Sequence, residues 1–458
     1  MQRVSPTGGG GSSRRADTPP QATREHRSGG SGSDRAPERS APVGAGVSCE
    51  PPPAPAVALD SSQINAPAQV RGSNESRRAR WRRRHTSARF LRALMAEDPR
   101  GPFAKPVRPA RCSWTLGHHV PVMYDGTRPA GYGALEKCAS IWCCPHCSAV
   151  IRAGRAAEIE EAVTAHQKAG KAVVFFTGTV RHHQGDKLET TLGAVLGAWS
   201  RLRRNKGWRL MKNEFGITGY IRSIEVTGNF SDDGHGWHPH CHALIFLEKD
   251  LTDSELASLQ ATLFGYWSRA VVAEGGKEPN EKGLDLQKVD KDGKVLAHYL
   301  GKLQDKKKWS AGAEIARFDA KKSRGGLVPF ELLDDDSDLP EWRRAELWRE
   351  YYLATKGRRA ITWSRGLKQM YVVPEVEDEE ILAEAESSVM AWRTTSKTFR
   401  ELRKVDVELL AIALESVERG DWETVQQLLP ADVDFQQHGQ QILWWEKKKK
   451  KLASPKAS

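Results

Sequence analysis

The chain has 458 residues, enough for about two or three domains of ordinary size. Lys and Arg number 70 against 58 Asp and Glu, a formal charge of +12 that points to an anionic partner, nucleic acid first. No stretch reaches the ~18 consecutive apolar residues of a membrane span, and Met1–Pro20 lacks the apolar core of a signal peptide.

Residues 1–85 are rich in Gly, Ser, Pro and Arg and carry 14 arginines against 7 acidic residues, a composition that predicts a disordered basic arm. Its end, Arg77 to Arg84 around Trp81, attracts phosphate and offers one ring for stacking, yet reads more simply as a solvated charge run than as a sequence-specific reader. Residues 108–155 form a zinc-binding cysteine module with the start of a helix. Of the seven cysteines in the chain, four lie between Cys138 and Cys147, which suits metal ligation in a reducing, cytoplasmic compartment rather than a disulfide framework. Cys144 and Cys147 make a C-x-x-C knuckle, Cys138 adds a third thiolate and Cys112 the fourth, with Cys143 and His146 as substitutes. A helix over Ala149–Lys168 follows.

Residues 171–310 have a legible element order. Lys171–Val180 is β-branched and aromatic, hence a strand. Leu188–Lys206 has helical spacing at Leu188, Leu192, Val195, Trp199 and Leu202. Thr218–Thr227 and Pro239–Leu247 read as strands joined by Gly228–Gly236. Thr252–Ala273 is a helix opened by a capping box, Thr252 with Glu255. Gly283–Asp290 is a short strand, and Val295–Lys308 a closing helix. The sum predicts an α+β fold with a ferredoxin-like (split βαβ) antiparallel sheet. Residues 311–371 extend this core with basic and aromatic segments. Residues 375–430 are expected to form a helical packing module with faces at Val405, Leu409 and Ile412 and at Val425, Leu428 and Leu429. Residues 431–458 are a basic tail.

The chemistry concentrates in Trp237 to His242. Strand geometry throws His238, His240 and His242 to one face and Cys241 to the other, into the core. If Glu225 faces His240 or His242 across a hairpin, the turn falls within Asp232-Asp233-Gly234, which is turn chemistry. Two imidazoles and a carboxylate then leave open positions on a divalent ion, with His238 further out as a phosphate contact. Tyr299 and Lys302, three apart on the closing helix, share a face as a nucleophile and its cationic helper.

In this order Phe175-Phe176-Thr177-Gly178-Thr179, Trp237-His238-Pro239-His240-Cys241-His242 and Tyr299-Leu300-Gly301-Lys302 resemble the motifs of the single-tyrosine rolling-circle replication initiators of the HUH endonuclease superfamily, in their Streptomyces-type actinobacterial branch. The cysteine cluster and Gly357 to Ser364 are similar to that branch as well. The resemblance implies an HUH nuclease core that nicks a plasmid double-strand origin. His240, His242 and Glu225 would hold Mg²⁺ or Mn²⁺, Tyr299 would form a 5′-phosphotyrosine with Lys302 assisting, and Cys112, Cys138, Cys144 and Cys147 would hold a structural zinc. Thr177, Thr179, His238, Arg358 and Arg359 are expected at the DNA. Implied partners are origin and single-stranded DNA with a host helicase, polymerase and single-strand-binding protein, in the bacterial cytoplasm and away from membranes. Relatives carry a water-activating glutamate four residues before the tyrosine, where this chain has Val295; Asp290, Asp292 and His298 stand nearby. The alternatives are a relaxase or transposase of the same chemistry, or a zinc-stabilised DNA-binding regulator without catalysis.

Overall fold

The computed structural model describes residues 74–95, 105–289, 327–386 and 389–432. The expected closing helix, with Val295, His298, Tyr299 and Lys302, lies outside the described residues, as do Asp290, Asp292, residues 1–73 and the basic tail. Among the described residues no helix is long and apolar enough to cross a membrane.

In chain order, α1 (Asn74–Arg92) and α2 (Arg108–Arg111) precede β1 (His119–Met123) and β2 (Gly131–Tyr132). Then come α3 (Pro145–Lys168), β3 (Ala172–Thr179), α4 (Leu188–Arg204), α5 (Lys206–Glu214), β4 (Ile217–Asn229), β5 (Gly236–Leu247), α6 (Asp253–Ala273) and β6 (Leu284–Lys288). After the undescribed stretch follow α7 (Glu341–Thr355), β7 (Ile361–Trp363), α8 (Leu367–Met370), α9 (Asp378–Glu384), β8 (Met390–Thr395), α10 (Ser396–Val405), α11 (Glu408–Arg419) and α12 (Trp422–Leu428).

The fold is α+β. Five strands form an antiparallel sheet in the order β6-β3-β5-β4-β7. β4 and β5 are one long hairpin whose turn sits at Ser231–Gly234, where the Gly234 amide donates to Ser231 O. Asn229 Oδ1 accepts from the Ser231 amide and hydroxyl, and a Cβ at Gly234 would lie 2.3 Å from Asn229 O, so only glycine closes the turn. One sheet face packs Phe175, Ile221, Leu244 and Phe246 against Ile159 and Val163 of α3. The other packs Phe176, Cys241, Ala243 and Ile245 against α4 and α6, through Leu192, Val195, Leu259 and Leu263. Thr252 and Glu255 make the predicted capping box of α6.

Three sequence expectations need correction. The arm read as disordered to residue 85 is already helical from Asn74, and Trp81, offered as a stacking ring, is 3% exposed against Tyr132 and His146. The arginines around it pair with protein carboxylates: Arg77 with Glu418, Arg78 with Glu415, Arg82 with Glu408 and Arg83 with Asp334. Residues 375–430 are not purely helical, because β8 joins β1 and β2 in a second antiparallel sheet of order β2-β1-β8. Finally, the chain breaks at Asp406, so Val405 is 79% exposed and the buried face of α11 is Leu410, Leu414 and Val417, packed on Trp81, Val120, Val122 and Phe399.

Candidate metal centres

Strand register decides the first site. Glu225 pairs with His240 and Ser223 with His242 between β4 and β5, while Thr177 pairs with His242 and Thr179 with His240 between β3 and β5. All these side chains therefore share the face that α3 covers farther along the strands. One ligand atom from each of Glu225, His240 and His242 lies within 4.8 Å of the others, so these three converge as the sequence anticipates. Glu225 Oε2 accepts from His242 Nε2 at 2.9 Å, and Thr177 Oγ1 sits 3.1 Å from His242 Nδ1. Burial pushes the Glu225 carboxyl up, but His242, His240 and Arg152 of α3 together hold it at about 2, an ionised ligand. Two imidazole nitrogens and an ionised carboxylate suit a divalent ion, with Thr177 accepting from His242 Nδ1–H once Nε2 is a ligand.

His238 stays outside this triad, its ring 4.0 Å from His240 and 4.4 Å from His182. Cys241 is buried on the opposite face, where desolvation pushes its thiol up to about 12. Thr177, expected at the DNA, is buried with its hydroxyl against the His242 ring. Thr179 Oγ1 reaches Gly283 O at 3.5 Å. Arg358 and Arg359 lie in the turn before β7, where the Ile224 amide donates to Ala360 O; Trp142 Nε1 donates to Arg358 O at 2.7 Å and Arg222 Nη2 to Arg359 O. Sequence reasoning gave no role to Arg152 or His182. The histidine pair His182-His183 directly after β3 was a usable signal for the second; nothing local marked Arg152.

The second cluster is Cys112, Cys138, Cys144 and Cys147, all buried and with sulfurs within 4.8 Å of one another. Sγ separations of 3.7 Å (Cys112–Cys147), 3.8 Å (Cys138–Cys147) and 3.4 Å (Cys112–Cys144) are far too long for disulfides. They approach the ~3.8 Å edge of a tetrahedron with 2.3 Å metal–sulfur bonds. Cys144 caps α3, accepting from the Cys147 amide, with Pro145 as first helical residue. The helix N-terminus favours thiolate there. Ser113 and Ala139, each just after a cluster cysteine, adopt left-handed backbone at φ 63° and 48°, a strain of ~1–3 kcal/mol each that turns the two sulfurs inward. Hydrogen bonding, to Cys112 first, and then burial push the Cys138 and Cys144 thiols well up, while hydrogen bonds with Cys138, Cys144 and Cys147 hold the Cys112 thiol well below its ordinary value. Cys143 faces Thr355 Oγ1, and His146 packs on Trp81; neither enters the cluster.

Residues 135–401 match the family described as "Replication protein". The chain is 31% identical over 319 residues to "Protein rep" of Streptomyces lividans, covering 55% of this chain and 68% of that protein. It is 26% identical to "Protein rep" of Lactiplantibacillus plantarum, over 48% of this chain and 60% of the relative. It is also 34% identical to "Neomycin resistance protein" of Streptomyces cyanogenus, over 25% of this chain and 31% of the relative. No solved structure matches. With more than half its length matched and the two-histidine, one-carboxylate triad assembled on the sheet, the chain belongs to the replication protein family.

Proposed function

We propose that this protein initiates plasmid replication by nicking one strand of a double-strand origin. The observation that carries the reading is the convergence of Glu225, His240 and His242 on one sheet face in a chain of this family. The strand order, with β3 and β4 parallel and split by β5, and β6 outside β3, supports a ferredoxin-like core. His240, His242 and Glu225 would hold Mg²⁺ or Mn²⁺; such an ion polarises a phosphodiester and offsets charge developing on phosphorus. His242 and His240 favour the ionised form of Glu225, with a smaller contribution from Arg152, and Thr177 Oγ1, 3.1 Å from His242 Nδ1, would fix that ring.

Tyr299 is the proposed nucleophile. Its oxygen bonds to phosphorus as the bond to the 3′ oxygen breaks; the phenol loses its proton and the leaving oxygen gains one. A 5′-phosphotyrosine and a 3′-OH primer result, with Lys302 neutralising charge. The four-sulfur cluster is proposed to hold structural zinc, supported by its near-tetrahedral edges, and four unpaired thiols suit the cytoplasm. A helicase, polymerase and single-strand-binding protein of the host complete the replication cycle implied by this role.

Incubation with single-stranded origin oligonucleotides and Mn²⁺ tests the reading. The wild type should give a denaturant-stable DNA-linked species that Tyr299→Phe lacks. An adduct that persists in Tyr299→Phe removes this tyrosine from the role. A wild type that binds origin DNA without ever cleaving it leaves a zinc-stabilised regulator instead.

A further inference from the structure

A groove of about 940 Å³ separates the cysteine segment from the turn and strand around β7, and none of Glu225, His240 and His242 lines it. Trp142 is shared between its wall and a small cavity beside Glu225. Four lining cations already have carboxylate partners: Arg108 with Glu379, Arg111 with Glu136, Arg155 with Asp378 and Glu158, and Lys368 with Glu158 and Glu375. Lys105, Lys356, Arg358, Arg359 and Arg365 line the same groove and have no carboxylate partner among the described residues. Four of these five are exposed, and Arg358 Nη1 is buried without a hydrogen-bond partner. Trp363 is the partly exposed ring of the lining, with Lys368 Nζ 5.4 Å from its centre, whereas Trp142 and Tyr352 are buried.

We propose that this groove is a track for single-stranded DNA leading away from the metal triad. Unneutralised cations along a recess attract phosphates, and the Trp363 ring among them can accept the face of an unstacked base, which a duplex keeps hidden. A recess of this volume takes a few nucleotides of one strand and excludes a turn of duplex. The proposal rests on DNA being the substrate, as argued above, and adds where the strand runs outside the triad.

The test is fluorescence anisotropy of the full chain on a labelled mixed-sequence oligonucleotide across a salt series, with no divalent ion added. Each lost single-strand phosphate contact flattens the slope of log K against log salt by about 0.7, so Lys356→Ala with Arg365→Ala should flatten it by about 1.4. Trp363→Leu should weaken binding by about fivefold or more at each salt concentration and leave the slope unmoved. Lys212→Ala with Lys397→Ala, two exposed lysines outside the groove, serves as the reference and should change nothing. An unmoved slope in the groove pair overturns the proposal, as does equal flattening in the reference pair or flattening on duplex alone. Binding is read without cleavage. A wild type that never nicks therefore overturns only the nickase reading, and one that nicks while the groove pair leaves the slope unmoved overturns only the groove.

Discussion

Glu225 is half-buried, and although desolvation disfavours its charge the carboxyl is held at about 2 by His242, His240 and, least, Arg152. An anion maintained at that cost and flanked by two imidazoles is best explained as a ligand waiting for a cation. Glu225→Gln keeps the shape and the hydrogen bond to His242 but removes the only formal charge of the triad. Mn²⁺ affinity, followed by calorimetric titration, should fall by more than about a hundredfold, beyond the loss typical of a group behind a ligand. Unchanged Mn²⁺ affinity would exclude Glu225 from the site. At this scale the sequence was informative where period and turn chemistry act together: alternate histidines and an Asp-Asp-Gly turn are enough to bring Glu225 opposite His240. Arg152 and Thr177 were illegible in those roles. Their function depends on which helix and which strand lie alongside, and no local spacing encodes that.

α1 carries the sharpest divergence between local pattern and structure. Its run of arginines and single tryptophan has the composition of a nucleic-acid arm, and nothing within it signals burial. What buries it are carboxylates more than two hundred residues away, Asp334, Glu408, Glu415 and Glu418, and an apolar socket from Tyr132 and His146. β8 escaped notice for the same reason: a short strand is defined by its partner β1, some 270 positions earlier, more than by its own residues. By contrast β3 to β6, α4 and α6 were legible, because each buries a face through its own period and neighbours in sequence are neighbours in space. Trp81→Ala discriminates between an arm and a packed helix. In the packed helix it should cost ~3–5 kcal/mol in denaturant unfolding of the transition that includes α11; a solvent-exposed ring would shift it by less than ~0.5 kcal/mol.

Across the whole molecule the cysteine cluster is the junction between the two sheets. Cys112 lies just ahead of β1 in the small sheet, and Cys144 and Cys147 open α3, which covers one face of the large sheet and sends Arg152 to Glu225. Cys143, next to Cys144 in sequence, points instead at Thr355 of α7. These neighbours therefore carry opposite expectations. Cys144→Ala should abolish bound zinc and lower the melting temperature by ~10 °C, since the metal's binding free energy is folding free energy in such a site. Cys143→Ala should retain one zinc per chain by metal analysis. Hydrogen exchange after chelation should open β1, β2 and the start of α3 first, while β3, β4 and β5, held by their own core, exchange last. Full zinc content in Cys144→Ala, or chelation that leaves exchange at α3 untouched, would separate the cluster from the folding of both sheets.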